Sequence, residues 1–172
     1  MKMIQQQILT GADSTIASSE ESKDGTAAPE ENPYEENSSS SFEKIDPLVP
    51  HIPCLFLPHD DGASKLLLYF HGNAEDIGLA FDLLYIVGQN LKMHVMAVEY
   101  PGYGLYKSSG PDEQQIKQDA VIIYDYIVQC LGVAESDIIV FGRSMGSGPS
   151  SYLASVRRPY SLFLMSPYTS IQ

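Results

Sequence analysis

Residues 142–146 read Gly-Arg-Ser-Met-Gly and follow the apolar run Ile-Ile-Val-Phe at 138–141. A serine at the end of a strand and the start of a helix suits acyl transfer. The sharp turn exposes Oγ, and the helix N–H groups behind it face the oxygen that turns negative when a carbonyl is attacked. The glycines carry this reading. In such a turn, side chains two residues before and after Ser144 would collide with the neighbouring strand and helix, so Gly142 and Gly146 clear the hydroxyl by lacking a Cβ. The plainer alternative is a small residue in a glycine turn with no chemistry attached.

One helix N–H, that of Met145, makes a weak oxyanion hole, so a second donor has to come from another loop. The tripeptide His71-Gly72-Asn73 follows a second apolar run, 65–70, and is the right kind of loop. There Gly72 is expected to permit close backbone approach and Asn73 to present its N–H.

The elements that would position these residues are legible from Pro47 onward. Apolar runs at 53–57, 65–70, 94–100, 138–141 and 161–165 predict five strands. Most are apolar throughout, as expected for a largely parallel sheet covered on both faces. Between them, helical spacing predicts helices over 74–91, with Ile77, Phe81, Leu84 and Val87 inward, and over 112–132, with Ile116, Ala120, Ile123 and Ile127 inward. Glu75 and Asp76 suit the start of the first, and Asp112 and Gly132 the two ends of the second. A third helix is expected over 148–158, where Pro149 fits only a first turn and two arginines mark the end. Alternation of this kind means βαβ units, whose chemistry collects at the carboxyl ends of the strands.

Composition narrows the rest. The 172 residues suffice for one domain with a real core. A net charge of −12 argues against nucleic acid and offers no basic patch for anionic lipid. The charge is uneven: residues 1–46 hold ten acids and three lysines and are rich in Ser, Glu, Asn and Pro. Such a segment buries too little surface to offset its ordering entropy and reads as disordered, leaving 47–172 as the folded domain. The N-terminus lacks the apolar core of a signal peptide, Lys2 stands where myristoylation needs glycine, and the apolar runs are too short for a bilayer span. A cytoplasmic protein is expected, with peripheral membrane association left open. Cys54 and Cys130 read as free, buried thiols, and no Cys or His pair has metal-ligand spacing. No cofactor is called for. The stretch 102–107 lacks the third glycine of a dinucleotide loop, and 142–148 lacks the lysine of a phosphate loop.

The motifs YFHGNAED, EYPGYG, GRSMGSGP and SPYTS, in that order over about 66–169, resemble the α/β-hydrolase superfamily. Within it they are similar to the branch of the Bem46-like proteins and the α/β-hydrolase-domain depalmitoylases. The resemblance implies a partial α/β-hydrolase fold: about five mostly parallel strands in the family order 2-4-3-5-6, flanked by helices, with the last strands missing. It implies Ser144 as nucleophile and the N–H groups of Met145 and Asn73 as oxyanion hole, with Gly142, Gly146 and Gly72 in support. It gives His71 a loop-shaping role, and makes the loop of Tyr100, Gly102 and Tyr103 the mouth of the pocket. The substrate class implied is an acylated protein or a small acyl ester, with lipase and serine peptidase activities open.

A serine hydroxyl needs a base, usually a histidine oriented by a carboxylate, and in this family both follow the serine in the chain. From Met145 to Gln172 there is no Asp, Glu or His. The expectation is a C-terminally truncated hydrolase that is inactive alone, or a non-catalytic isoform or binding module. Its last strand would be an apolar, unpaired edge, which is an aggregation hazard.

Overall fold

The computed structural model describes residues 51–108 and 110–169, so the expected disorder of 1–46 lies outside the described residues. The order is β1 (Cys54–Leu57), β2 (Leu66–Phe70), α1 (Phe81–Leu91), β3 (His94–Val98), α2 (Glu113–Gln129), β4 (Ile138–Arg143), α3 (Ser147–Val156) and β5 (Ser161–Met165). Short 3₁₀ turns at Glu135–Asp137 and Ser144–Gly146 flank β4. All five expected strands form. They make one sheet in the order β1-β3-β2-β4-β5, which is the expected arrangement in chain numbering. Only the β1–β3 pairing is antiparallel.

β2 is buried along its whole length because it is central and covered on both faces. Leu66, Leu68 and Phe70 join Met96, Val98, Ile138 and Val140 beneath α2 and α3, where Ile123, Ile127 and Leu153 are fully buried. Leu67, Tyr69, Val95, Ala97 and Ile139 face α1 on the other side. Arg157, just beyond α3, holds Asp125 of α2 through two hydrogen bonds of 2.6 Å and fastens the two helices together. Asp112 caps α2 as expected, accepting from the N–H of Gln115 at 2.7 Å.

Two expectations need correction. The first helix begins at Phe81 rather than at residue 74, because the acids before it are bound elsewhere. Ala74 is left-handed, Asp76 accepts from the N–H of Leu79, and Glu75 accepts from the N–H of Gly72. Hydrophobic spacing alone could not register those competing bonds. The thiols also differ from expectation. Cys54 is half-buried, and Cys130, at the end of α2, is exposed. Burial pushes the Cys54 thiol up to about 12.

β5 pairs with β4 alone among the described residues, and both of its faces are open. Phe163 is 58% and Met165 50% exposed on the α1 side, and Leu162 and Leu164 are exposed on the other. No helix among the described residues is long and apolar enough to cross a membrane.

Two outcomes follow from this architecture. Phe163→Lys should change unfolding stability by less than about 0.5 kcal/mol, while raising the temperature at which light scattering detects aggregation. A thiol reagent should modify the exposed Cys130 at once and the half-buried Cys54, whose thiol is the harder to ionise, far more slowly. Because the Cys54 thiol ionises near ~8.5 when unfolded and far higher when folded, its contribution to stability is full below that pH. It should decline as pH rises toward 12 in urea titrations.

Candidate active site

The carboxyl end of β4 turns at Ser144, which has a φ of 48° in the left-handed region that side chains avoid. The residue is exposed. Its carbonyl accepts from Ser147 Oγ at 2.6 Å, closing the turn into α3. The glycines on either side are demanded by their surroundings. A Cβ on Gly146 would strike the carbonyl of Phe70 and lie 2.8 Å from that of His71. One on Gly142 would strike Ser150 Oγ and lie 2.5 Å from the Gly146 carbonyl. The steric expectation for both glycines holds. Met145, in the first turn of the helical run, has an N–H with no acceptor inside the helix, at its electropositive end.

The loop after β2 meets this turn. A Cβ built on Gly72 would lie 3.8 Å from Ser144 Cβ and make only ordinary contacts. Packing within the chain does not itself demand Gly72, and the space the glycine leaves opens toward Ser144. Asn73 is exposed, and its Oδ1 accepts from the Tyr103 hydroxyl at 2.7 Å. The same hydroxyl lies 3.7 Å from Met145 Sδ, so Asn73, Tyr103 and Met145 meet at one rim.

His71 is fully buried beneath the loop. Its Nδ1 lies 2.9 Å from the Gly72 carbonyl, which can only accept, so this nitrogen carries a proton. Its Nε2 lies 2.8 Å from Glu99 Oε1. With both nitrogens engaged, His71 has no lone pair to offer Ser144, in keeping with a loop-shaping role. Its ring stacks on Tyr100 with centroids 4.0 Å apart, and the Tyr100 hydroxyl donates to the His71 carbonyl at 2.9 Å. Tyr100, whose phenol burial pushes well above the ordinary range, is thus a packing and fastening residue.

Sequence reasoning missed Glu99. Its carboxyl group is buried at the end of β3, pairs with His71 Nε2, and accepts from the N–H of Tyr100 at 3.2 Å and from the N–H of Ile77 at 3.3 Å. One carboxylate joins the β2–α1 and β3–α2 loops. The available signal was an acid directly after an apolar strand and before Tyr-Pro-Gly-Tyr-Gly. Gly104 in that loop is left-handed, and a Cβ there would strike Glu99 Oε2; Gly102 is left-handed too, with Gly110 2.9 Å from its Cβ position.

Beside the turn lies a cavity of about 640 Å³, lined by Tyr100, Tyr103, Ile116, Met145, Tyr152 and Tyr168 among others. Its size suits a small ligand or an acyl chain. His59 and His94 lie at the opposite end of the sheet, against the turn between β1 and β2. Among the described residues no group of three or more His, Cys, Asp or Glu could hold a metal.

Replacements should separate these contacts. Gly146→Ala should cost more than about 3 kcal/mol through a backbone clash. Glu99→Ala should cost about 3–5 kcal/mol by stripping a buried imidazole of its partner. Gly72→Ala should cost under about 1 kcal/mol. Urea unfolding of the three variants checks the ranking.

No family model matches the chain. It is 36% identical over 119 residues to the α/β hydrolase domain-containing protein aho-3 of Caenorhabditis elegans, which covers 69% of this chain and 36% of that protein. Identity to the α/β hydrolase domain-containing protein 17B of Homo sapiens is 29% over 119 residues, covering 69% of this chain and 41% of that one. Its fold matches a hormone-sensitive lipase from a metagenome library with a TM-score of 0.56 at 19% identity, over 68% of this chain and 41% of that chain. It also matches an α/β hydrolase from Vibrio vulnificus with a TM-score of 0.55 at 28% identity, over 63% and 40% respectively. The chain spans roughly two fifths of the length of the curated relatives it matches. Sequence relatives and structural neighbours converge: the chain belongs to the α/β-hydrolase superfamily, and the sequence relatives it is similar to are α/β-hydrolase domain-containing proteins.

Proposed function

We propose that this is the nucleophile half of a serine hydrolase site acting on acyl esters or thioesters. Ser144 Oγ attacks the acyl carbon, its proton passes to a base, and the tetrahedral oxyanion is held by the N–H groups of Met145 and Asn73. Collapse expels the alcohol or thiol, leaving an acyl-Ser144 ester that water then hydrolyses. The observation that carries this reading is the left-handed Ser144 between two glycines that admit no Cβ. Strain at an exposed hydroxyl at the end of a strand has a ready chemical use; Ser166, left-handed and exposed after β5, has no such glycines two residues before and after it.

The tyrosine-lined cavity beside Met145 supports an acyl chain as the group bound, and protein-linked palmitoyl thioesters fall within that class. Such a substrate would bring the chain to a membrane surface from the cytoplasm. Peptide bonds are the competing substrate. A second reading, an acyl-binding module without turnover, is favoured by one observation: the imidazole at this end of the sheet is committed to Glu99. Loss of a triad member leaves turnover lower by roughly 10⁴-fold. The 172 residues are thus expected to acylate slowly and not to turn over.

A fluorophosphonate probe tests this, because its adduct is stable and slow labelling accumulates. Attack forms the Oγ–P bond and releases fluoride and a proton. Labelling mapped by peptide mass spectrometry should fall on Ser144 and rise about tenfold when free imidazole supplies the absent base. Ser144→Ala should not label at all. Equal labelling of Ser144→Ala would defeat the nucleophile assignment. Labelled protein that also cleaves a peptide amide faster than a palmitoyl thioester would reassign the substrate.

A further inference from the structure

The left-handed Ala74 leaves the loop 71–75 bent directly beside Asn73, and only specific fastenings hold such a bend. His71 fastens it from beneath. From the side, Glu75 does something the reaction chemistry does not by itself require. Its Oε2 accepts from the N–H of Gly72 at 3.0 Å, and its Oε1 accepts from Arg143 at 2.9 Å. Arg143 is the residue directly before Ser144. The Tyr69 hydroxyl in β2 lies 3.5 Å from the same carboxylate.

One carboxylate therefore grips the loop that carries Asn73 with one oxygen and the turn that carries Ser144 and Met145 with the other. Its side chain is only 14% exposed, so water competes weakly for it, whereas Arg143 is 44% exposed at the outer end. The guanidinium is held further up in its range chiefly by the Glu75 charge. The two proposed oxyanion donors follow separate strands, β2 and β4, and an oxyanion hole works only when its donors keep their separation.

We propose that Glu75 and Arg143 form a strut that sets the spacing between the two oxyanion loops, acting as positioning residues that touch no substrate. The proposal rests on the serine hydrolase reading, and the test below separates the two. Each leg of the strut is addressed on its own. Glu75→Leu removes both legs, Glu75→Gln keeps an acceptor for Gly72, and Arg143→Met removes the leg to the serine turn alone.

The experiment measures fluorophosphonate adduct formation at Ser144 in the presence of imidazole for wild type and variants, with amide hydrogen exchange at Gly72 and melting temperature followed alongside. Glu75→Leu should slow adduct formation about tenfold and speed Gly72 exchange, with exchange at Leu68 in β2 unchanged. Arg143→Met should slow the adduct comparably while Gly72 stays protected. Glu75→Gln should restore Gly72 protection. The double variant Glu75→Leu/Arg143→Met should react no more slowly than the slower single, as expected of two residues acting through one contact. Labelling of Glu75→Leu at the wild-type rate, or single effects that multiply in the double variant, would overturn the strut. If wild type fails to label at Ser144, the hydrolase reading falls, and unchanged Gly72 exchange in Glu75→Leu then overturns the strut as well.

Discussion

At the centre of the molecule one backbone lies directly on another. Gly146 rests against the carbonyls of Phe70 and His71 with no room for a methyl group. This contact decides where the end of β2 and the start of α3 can be, and most of the site is a consequence. With the helix drawn that close to the sheet, the chain leaving β4 has to reverse within one residue, and that residue is Ser144 in the left-handed region. The strain is sustained because the surrounding packing leaves the turn no relaxed alternative. Gly142 completes the arrangement by clearing Ser150 from the inner side of the turn.

A second requirement builds on the first. Two loops leave the carboxyl end of the sheet side by side, after β2 and after β3, and each has polar backbone groups to satisfy where little water reaches. Glu99 and His71 meet that need together. A single buried pair serves the backbone of Ile77, Gly72 and Tyr100, while Tyr100 returns a hydrogen bond to the His71 carbonyl. This explains how an imidazole can sit beneath the loop beside Ser144 without serving it. Both of its ring nitrogens are spent on architecture.

Much of this was readable in the residues. Strands of unbroken apolar character gave the sheet, and the glycines around Ser144 gave the turn, because sterics of that kind are local. What stayed hidden depended on partners distant in sequence. Glu75 and Asp76 look like acids at a helix start, yet one binds Arg143, 68 residues later, and the helix begins further on. Glu99 looks like a polar residue at a strand end until His71, 28 positions earlier, is found against it. Cys130 has the composition of a core residue, and only the position where α2 stops shows it to be outside.

The register of β2 has a further consequence, and it concerns time. Leu66 pairs with His94 on one side and with Ile138, 72 positions along the chain, on the other. The first pairing closes a short excursion around α1; the second must wait for a much longer loop to close, with the entropy that entails. Until β4 docks on β2, no carbonyl of Phe70 presses on Gly146 and nothing forces Ser144 out of a relaxed conformation. The left-handed serine turn is therefore a late product of folding, absent from any intermediate that holds β1, β2 and β3 alone, and a nascent chain acquires it only once β4 has docked on β2.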